Sequence, residues 1–284
     1  MITFIAVGFR IFSNSLSNVF QKQLANGGIS PYWISFLSYL GLSLICIPFA
    51  IFTGLDINIK VLLNATLGGL FGAFGNYYLI KALKFGDLSV LGPINAYKSV
   101  VAMLIAIVML KEIPSLIGVF AVFLIVAGSY FVVDATGENF NFALLKNKGI
   151  KYRILALILT AIEAIFIKNV ILASDVYSAF YIWCWFAAVF SFCMLITHAK
   201  IKSKFSKKIF LKILMIILSV GIMQLSTNIV LDRMNVGYAL ALFQLSALVS
   251  VFLGWKVFQE TNIFKKFIGT IIMILGAVIL ILTK

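Results

Sequence analysis

Lys98 and Glu163 are the side chains in this sequence best placed to do chemistry, because each is an ionisable group near the centre of a long apolar run. A charge at the middle of a bilayer costs on the order of 3 kcal/mol unless it faces a partner or water. Neither group can reach an interface by stretching, since the headgroups would lie roughly 15 Å away along a helix that rises about 1.5 Å per residue. Lys98, with Asn95, Tyr97 and Ser99 beside it, could hold the anionic part of a bound solute. Glu163, one turn from Thr160, could take up and release a proton as its surroundings change. The plainer reading is an ion pair between the two that only locks helices together.

Polar residues on other apolar runs form faces instead of scattering. Arg10, Asn14, Ser17 and Gln21 recur at spacings of four, three and four, which is one side of a helix, and Ser13 and Asn18 widen it. Gln224, Asn228 and Asp232 follow the same rule, and Asn76 with Tyr77 adds a third polar position. A single intramembrane Asn is ordinary interhelical glue worth about 0.6 kcal/mol, but three such faces in one chain exceed what glue requires. They are expected to line a water-filled cavity, with Asp232 the next coupling acid after Glu163. Trp183 and Trp185 fall inside an apolar run, where Trp183 is a candidate platform for a flat or cationic solute and core packing is the competing account. The glycines Gly68, Gly69, Gly72 and Gly75 point to close helix packing.

Other chemistries lack their residues. Cys46, Cys184 and Cys193 are scattered, and His198 is the one histidine, so neither a metal site nor a disulfide framework is expected. No HExxH, GxSxG or phosphate-loop lysine motif occurs, and the loops are too short for a surface active site. The protein is therefore expected not to be an enzyme and to need no cofactor.

Composition dictates the elements that must position these groups. The chain is 63% hydrophobic and 11% charged, against about 45–50% and about 25% in soluble domains. Lipid is its solvent, and a multi-pass place in the cell membrane is expected. Hydropathy and breakers predict ten helical spans, at 2–24, 31–53, 61–82, 87–110, 114–133, 153–172, 176–198, 209–231, 236–258 and 264–283. The first contains Arg10 and no cleavage-site pattern, so it is read as a retained span. A polar stretch beginning Asp134-Ala-Thr-Gly separates two halves, 1–134 and 151–284, joined by a linker over 135–150. Sliding one half on the other by 148 positions brings Glu112 onto Glu260, Ala121 onto Gly269, Gly128 onto Gly276 and Lys98 onto Ser246. Five spans per half force the halves into opposite orientations. The expected fold class is an all-α integral membrane protein, ten transmembrane helices as two inverted five-helix repeats. That is an architecture of secondary transporters, with the site at the midplane between the repeats.

The stretch Ala82-Leu-Lys-Phe-Gly-Asp-Leu-Ser-Val-Leu-Gly-Pro, continuing to Leu110-Lys-Glu112 and a helix from Gly118 to Gly128, resembles the EamA module of the drug/metabolite transporter superfamily. The second half repeats it loosely through Gly237-Tyr-Ala-Leu-Ala, Glu260 and Gly269 to Gly276. The resemblance implies ten helices, two inverted repeats and a central cavity, in a family that moves amino acids, sugars, nucleotide-linked metabolites and drugs. It names no substrate here. The halves differ where a site would lie, since Pro93 aligns with Ala241 and Lys98 with Ser246.

The net charge of +14 resides mostly between apolar runs, with sixteen basic residues toward one side of the membrane and five toward the other. Basic loops stay in the cytoplasm, so the charge count places both termini outside it, whereas the family resemblance places them inside. The run from Lys200 to Lys212 is a topology signal and headgroup contact, and no nucleic-acid partner is expected. The expected function is a secondary transporter that moves a small polar or amphipathic metabolite, amino-acid-like or another organic ion, by alternating access. Its partners would be that small molecule, the lipid bilayer and, if it is proton-driven, protons. A lipid-linked-sugar flippase, which needs a lateral opening, and a non-transporting membrane scaffold, whose interior would be packed shut, are the alternatives. Nothing in the residue pattern selects a substrate, a direction or an oligomeric state.

Overall fold

The computed structural model describes residues 2–134, 147–198, 206–259 and 263–282. Most of the expected linker, the lysines from Lys200 to Lys204, and Glu260 lie outside the described residues. Twelve helices run through the rest: α1 (Ile2–Asn26), α2 (Pro31–Thr53), α3 (Ile59–Phe85), α4 (Leu88–Ile94), α5 (Tyr97–Met109), α6 (Leu116–Asp134), α7 (Lys148–Ala173), α8 (Val176–His198), α9 (Lys207–Arg233), α10 (Val236–Phe243), α11 (Ser246–Phe258) and α12 (Ile263–Leu282). Several of their starts are capped by a side-chain acceptor. Asn58, Asn147 and Ser206 accept backbone N–H bonds at α3, α7 and α9, and the Asp175 carboxylate accepts those of Tyr177 and Ser178 at α8. Burial opposes ionisation of Asp175, but these bonds outweigh it and hold the carboxyl below its ordinary range.

Two predicted spans are interrupted. The stretch expected as 87–110 is α4 and α5, broken at Asn95 and Ala96, and that expected as 236–258 is α10 and α11, broken at Gln244 and Leu245. At the first break Pro93 supplies no N–H, and the chain continues by tighter bonds, from Asn95 N–H to the Gly92 carbonyl and from Lys98 N–H to the Asn95 carbonyl. At the second break there is no proline. The Gln244 amide donates instead to the Leu240 carbonyl at 2.8 Å and replaces the backbone bond the break removes. The two breaks meet, because the Asn95 amide donates to the Gln244 side-chain oxygen at 3.0 Å.

The main packing partners join the halves in a reciprocal pattern: α3 packs on α7 and α9 on α1, α5 on α10 and α11 on α4, α2 on α8, and α6 on α12. Exchanging the halves turns each contact into another of the set. The aligned small residues show the same exchange, since Gly128 abuts the Gly269 carbonyl and Gly276 abuts the Ala121 carbonyl, an antiparallel crossing of α6 and α12. Along α3, Gly68, Gly69 and Gly75 admit Ile167, Phe186 and Thr160, so the glycine run does serve close approach to α7 and α8.

Polarity is inverted relative to a soluble bundle. Large apolar side chains such as Phe12, Ile51, Phe52, Val108 and Leu116 face outward, while Arg10, Gln21, Arg153, Gln224 and Asn228 are buried. An outer surface of that kind suits lipid. Six helical stretches among the described residues are long and apolar enough to cross a membrane, Leu88–Met109 and Val236–Phe258 each counted through its break. The helices α1 and α3 have 25 and 27 residues but carry the polar faces noted above.

Burial also corrects the charge count. The sixteen flanking basic residues include Lys22 and Arg153 and the five include Lys168, yet all three are buried. Without them the asymmetry is fourteen to four and keeps its sign.

Candidate functional site

Beside the first break the helices surround a partly open cavity of about 90 Å³. That is room for several water molecules, each of which needs about 10–15 Å³ by the same measure. Its wall comes from both halves: Arg10, Asn14, Ser17 and Gln21 of α1, Gly72 and Asn76 of α3, Asn95 and Lys98 at the first break, Arg153, Thr160 and Glu163 of α7, Trp183 of α8, and Gln224 and Thr227 of α9. The face of α1 formed by Arg10, Asn14, Ser17 and Gln21 reaches the cavity, whereas Ser13 and Asn18, expected to widen it, do not line it.

Each charged group is held differently. The Arg10 guanidinium donates through Nε to the Thr227 hydroxyl at 2.8 Å and lies over the Phe243 ring at 4.9 Å. Its Nη1 is buried and has no hydrogen-bond partner. Arg153 donates through Nε to the Leu91 carbonyl at 2.9 Å, an acceptor that the break after α4 leaves open. Glu163 accepts from Trp183 Nε1 at 2.8 Å. Gly72 backs this pair, for a Cβ there would strike the Glu163 carboxylate and crowd the indole. Tyr39 packs edge-on against Trp183 with ring centres 5.3 Å apart. No direct ion pair joins Lys98 to Glu163 among the described residues, although both line the cavity and their charges interact across it. The locking pair weighed from sequence is therefore absent from this conformation.

Of the residues singled out from sequence, Lys98, Glu163, Asn95, Asn76, Arg10, Asn14, Gln224 and Trp183 meet at the cavity. Four do not. Tyr77 hydrogen-bonds to Tyr32 at 2.7 Å and stacks on it in a separate aromatic cluster that Lys81 also joins. Tyr97 lies next to Lys98 but not on the wall, since adjacent helical residues point about 100° apart. Asn228 is fully buried, accepting from Gln224 and donating to the Val176 carbonyl, which is the work of interhelical glue. Asp232 sits at the end of α9, 3.8 Å from Arg233 and partly exposed. Arg153 and Tyr39 were missed as wall residues. A spacing signal for Arg153 was present, because Arg153, Ala156, Thr160, Glu163 and Ile167 form one face of α7 and all line the cavity.

Polar ties join the halves at both ends of the bundle. At one end Glu112 accepts the Val236 N–H at 2.7 Å and the Tyr238 hydroxyl accepts the Ser115 N–H at 2.8 Å, while within the second half the Lys168 ammonium donates to the carbonyls of Leu231 and Met234. Burial pushes the Glu112 carboxyl up from its ordinary value, against the pull of the Val236 N–H and of Lys168. At the other end Lys22, 3.9 Å from Asp87 of its own half, lies over the Phe258 ring of the other half.

Comparison with known proteins gives one family and one architecture. A solved structure titled only as the crystal structure of a protein has a TM-score of 0.72 at 18% identity, covering 99% of this chain and 96% of its own. That likeness is one of fold alone. No curated protein matches this chain. The model of the EamA-like transporter family matches twice, over residues 3–134 and 147–282, once in each half. The resemblance read from the motifs holds, and the protein is an integral membrane protein of transporter type. The chain belongs to the EamA-like transporter family.

Proposed function

We propose that the protein is a secondary transporter that moves a small polar metabolite across the cell membrane by alternating access, with the central cavity as its binding site. The observation that supports this is the cavity itself, polar and charged, lined by both halves and bordered by the first of two facing helix breaks. Interrupted helices beside a midplane cavity are the arrangement by which inverted-repeat transporters bind solutes. In this reading α4 with α5 and α10 with α11 each cross once, giving ten crossings in two inverted repeats, 1–134 and 151–284, with 135–150 as their linker. The ties at the two ends of the bundle then act as gates, one opening as the other closes. A scaffold would gain nothing from burying so many polar groups around a void, at a cost of one to several kcal/mol for each left unpaired.

Access to the cavity provides the test. With Cys46, Cys184 and Cys193 replaced by alanine, Thr160→Cys is expected to react with an impermeant thiol reagent from either face of sealed proteoliposomes. A transported solute should change the two rates in opposite senses. Reaction from neither face, or from one face under every condition, would return the protein to the scaffold reading.

Orientation follows from the basic asymmetry, which puts the start of α9 in the cytoplasm and both termini outside. In the same cysteine-free background, Asp56→Cys in the α2–α3 turn should be labelled from outside intact cells and Ser206→Cys should not. The reverse pattern would establish the orientation implied by the family resemblance.

A further inference from the structure

We propose that the cavity is built for a small organic dianion, a solute with two negative charges such as a short dicarboxylate or a phosphate monoester, held between Arg10, Lys98 and Arg153. This rests on the reading of the cavity as the transport site. Three cationic side chains and one carboxylate line the same cavity, an excess of two positive charges deep in an apolar bundle. Uncompensated charge in such a place is costly. A zwitterion brings no net charge and leaves the excess standing, a cation adds to it, and a dianion cancels it.

The donors are prepared for such a ligand. Arg10 is 9% exposed, its Nε bonded to Thr227 and its face on Phe243, so the orientation of the guanidinium is set while buried Nη1 stays without a partner. A guanidinium fixed in this way presents its free edge to a carboxylate or phosphate with little further ordering. The Lys98 ammonium has neither a hydrogen bond nor an ion pair among the described residues. Glu163 is held by Trp183, on a wall where it can exclude like-charged groups from that side.

The test is binding to the purified full-length chain in detergent, with succinate, inorganic phosphate, glycine, choline and glucose as probes at constant ionic strength and pH. Succinate or phosphate should raise the midpoint of thermal unfolding in a saturable way, because a ligand that binds only the folded state stabilises it. Glycine, choline and glucose should not. Arg10→Gln and, separately, Lys98→Met should each weaken the anion effect by about 30-fold or more, while exposed Lys60→Gln should leave it unchanged. Should one cavity variant fail to fold, the other still decides. Stabilisation by glycine or choline and by neither dianion, or an anion effect that survives both cavity variants, would overturn the proposal. If dianions bind but Thr160→Cys is reached from one face only, transport falls and the anion site stands. If both faces are reached and no dianion binds, the anion site falls and transport stands.

Discussion

Lys98→Met is expected to abolish transport while leaving the protein folded. Truncating one partner of a desolvated charged contact costs about 2–5 kcal/mol, which is roughly 30-fold to several thousand-fold in affinity at about 1.4 kcal/mol per factor of ten. Folding should survive because the ammonium has no protein partner to abandon, and methionine keeps an unbranched stem of similar length. Removing a buried cation is more apt to raise the unfolding temperature than to lower it. Uptake into proteoliposomes and thermal unfolding should therefore move independently. Normal transport by the variant, or loss of transport together with loss of the folded state, would make Lys98 a structural residue.

The second large effect is expected at Glu163, the carboxylate we assign to proton coupling. A group that exchanges a proton only in one of two conformations links the proton gradient to access by its different affinity in each. The present conformation holds Glu163 on Trp183 and apart from Lys98, and a conformation that brings the two together would favour loss of the proton. Glu163→Gln keeps an oxygen for the indole N–H and cannot be ionised. One coupled proton supplies about 1.4 kcal/mol per unit of pH difference, or tenfold accumulation. The variant should lose that accumulation entirely and still exchange solute across the membrane at equal pH. Accumulation that still follows the pH gradient would move the role to Asp232, which lies outside the cavity and would then have to act from the end of α9.

These expectations rest on groups that were visible in the chain to different degrees. Periodicity was sufficient for α1: Arg10, Asn14, Ser17 and Gln21 lie on one helical face, and a face has to look somewhere together. For α9 the same rule brought Gln224 and Asn228 to one side and still could not separate wall from glue. The difference of four residues lets Asn228 reach the Val176 carbonyl while Gln224 borders the void. Arg153 was hidden by its neighbours in sequence, because Lys148 and Lys151 made it look like one more flanking charge. Only the packing of α7 against α4 turned it inward, onto a carbonyl freed by the break.

Composition by itself determined that lipid is the solvent, since a chain 63% hydrophobic has no other way to satisfy its surface. The duplicated pattern of apolar runs and small residues likewise determined the two-part organisation and the family. What only the tertiary structure decided was the pairing across the halves. The break at Gln244 has no proline to announce it and is held by a side chain that also receives Asn95 from the other half. The separation of Lys98 from Glu163 was equally undecided, because both are central in their runs and linear position carries no distance between helices. Local rules act within about one turn, whereas the cavity is a relation among side chains as far apart in sequence as Arg10 and Thr227, which are joined by a hydrogen bond across 217 residues.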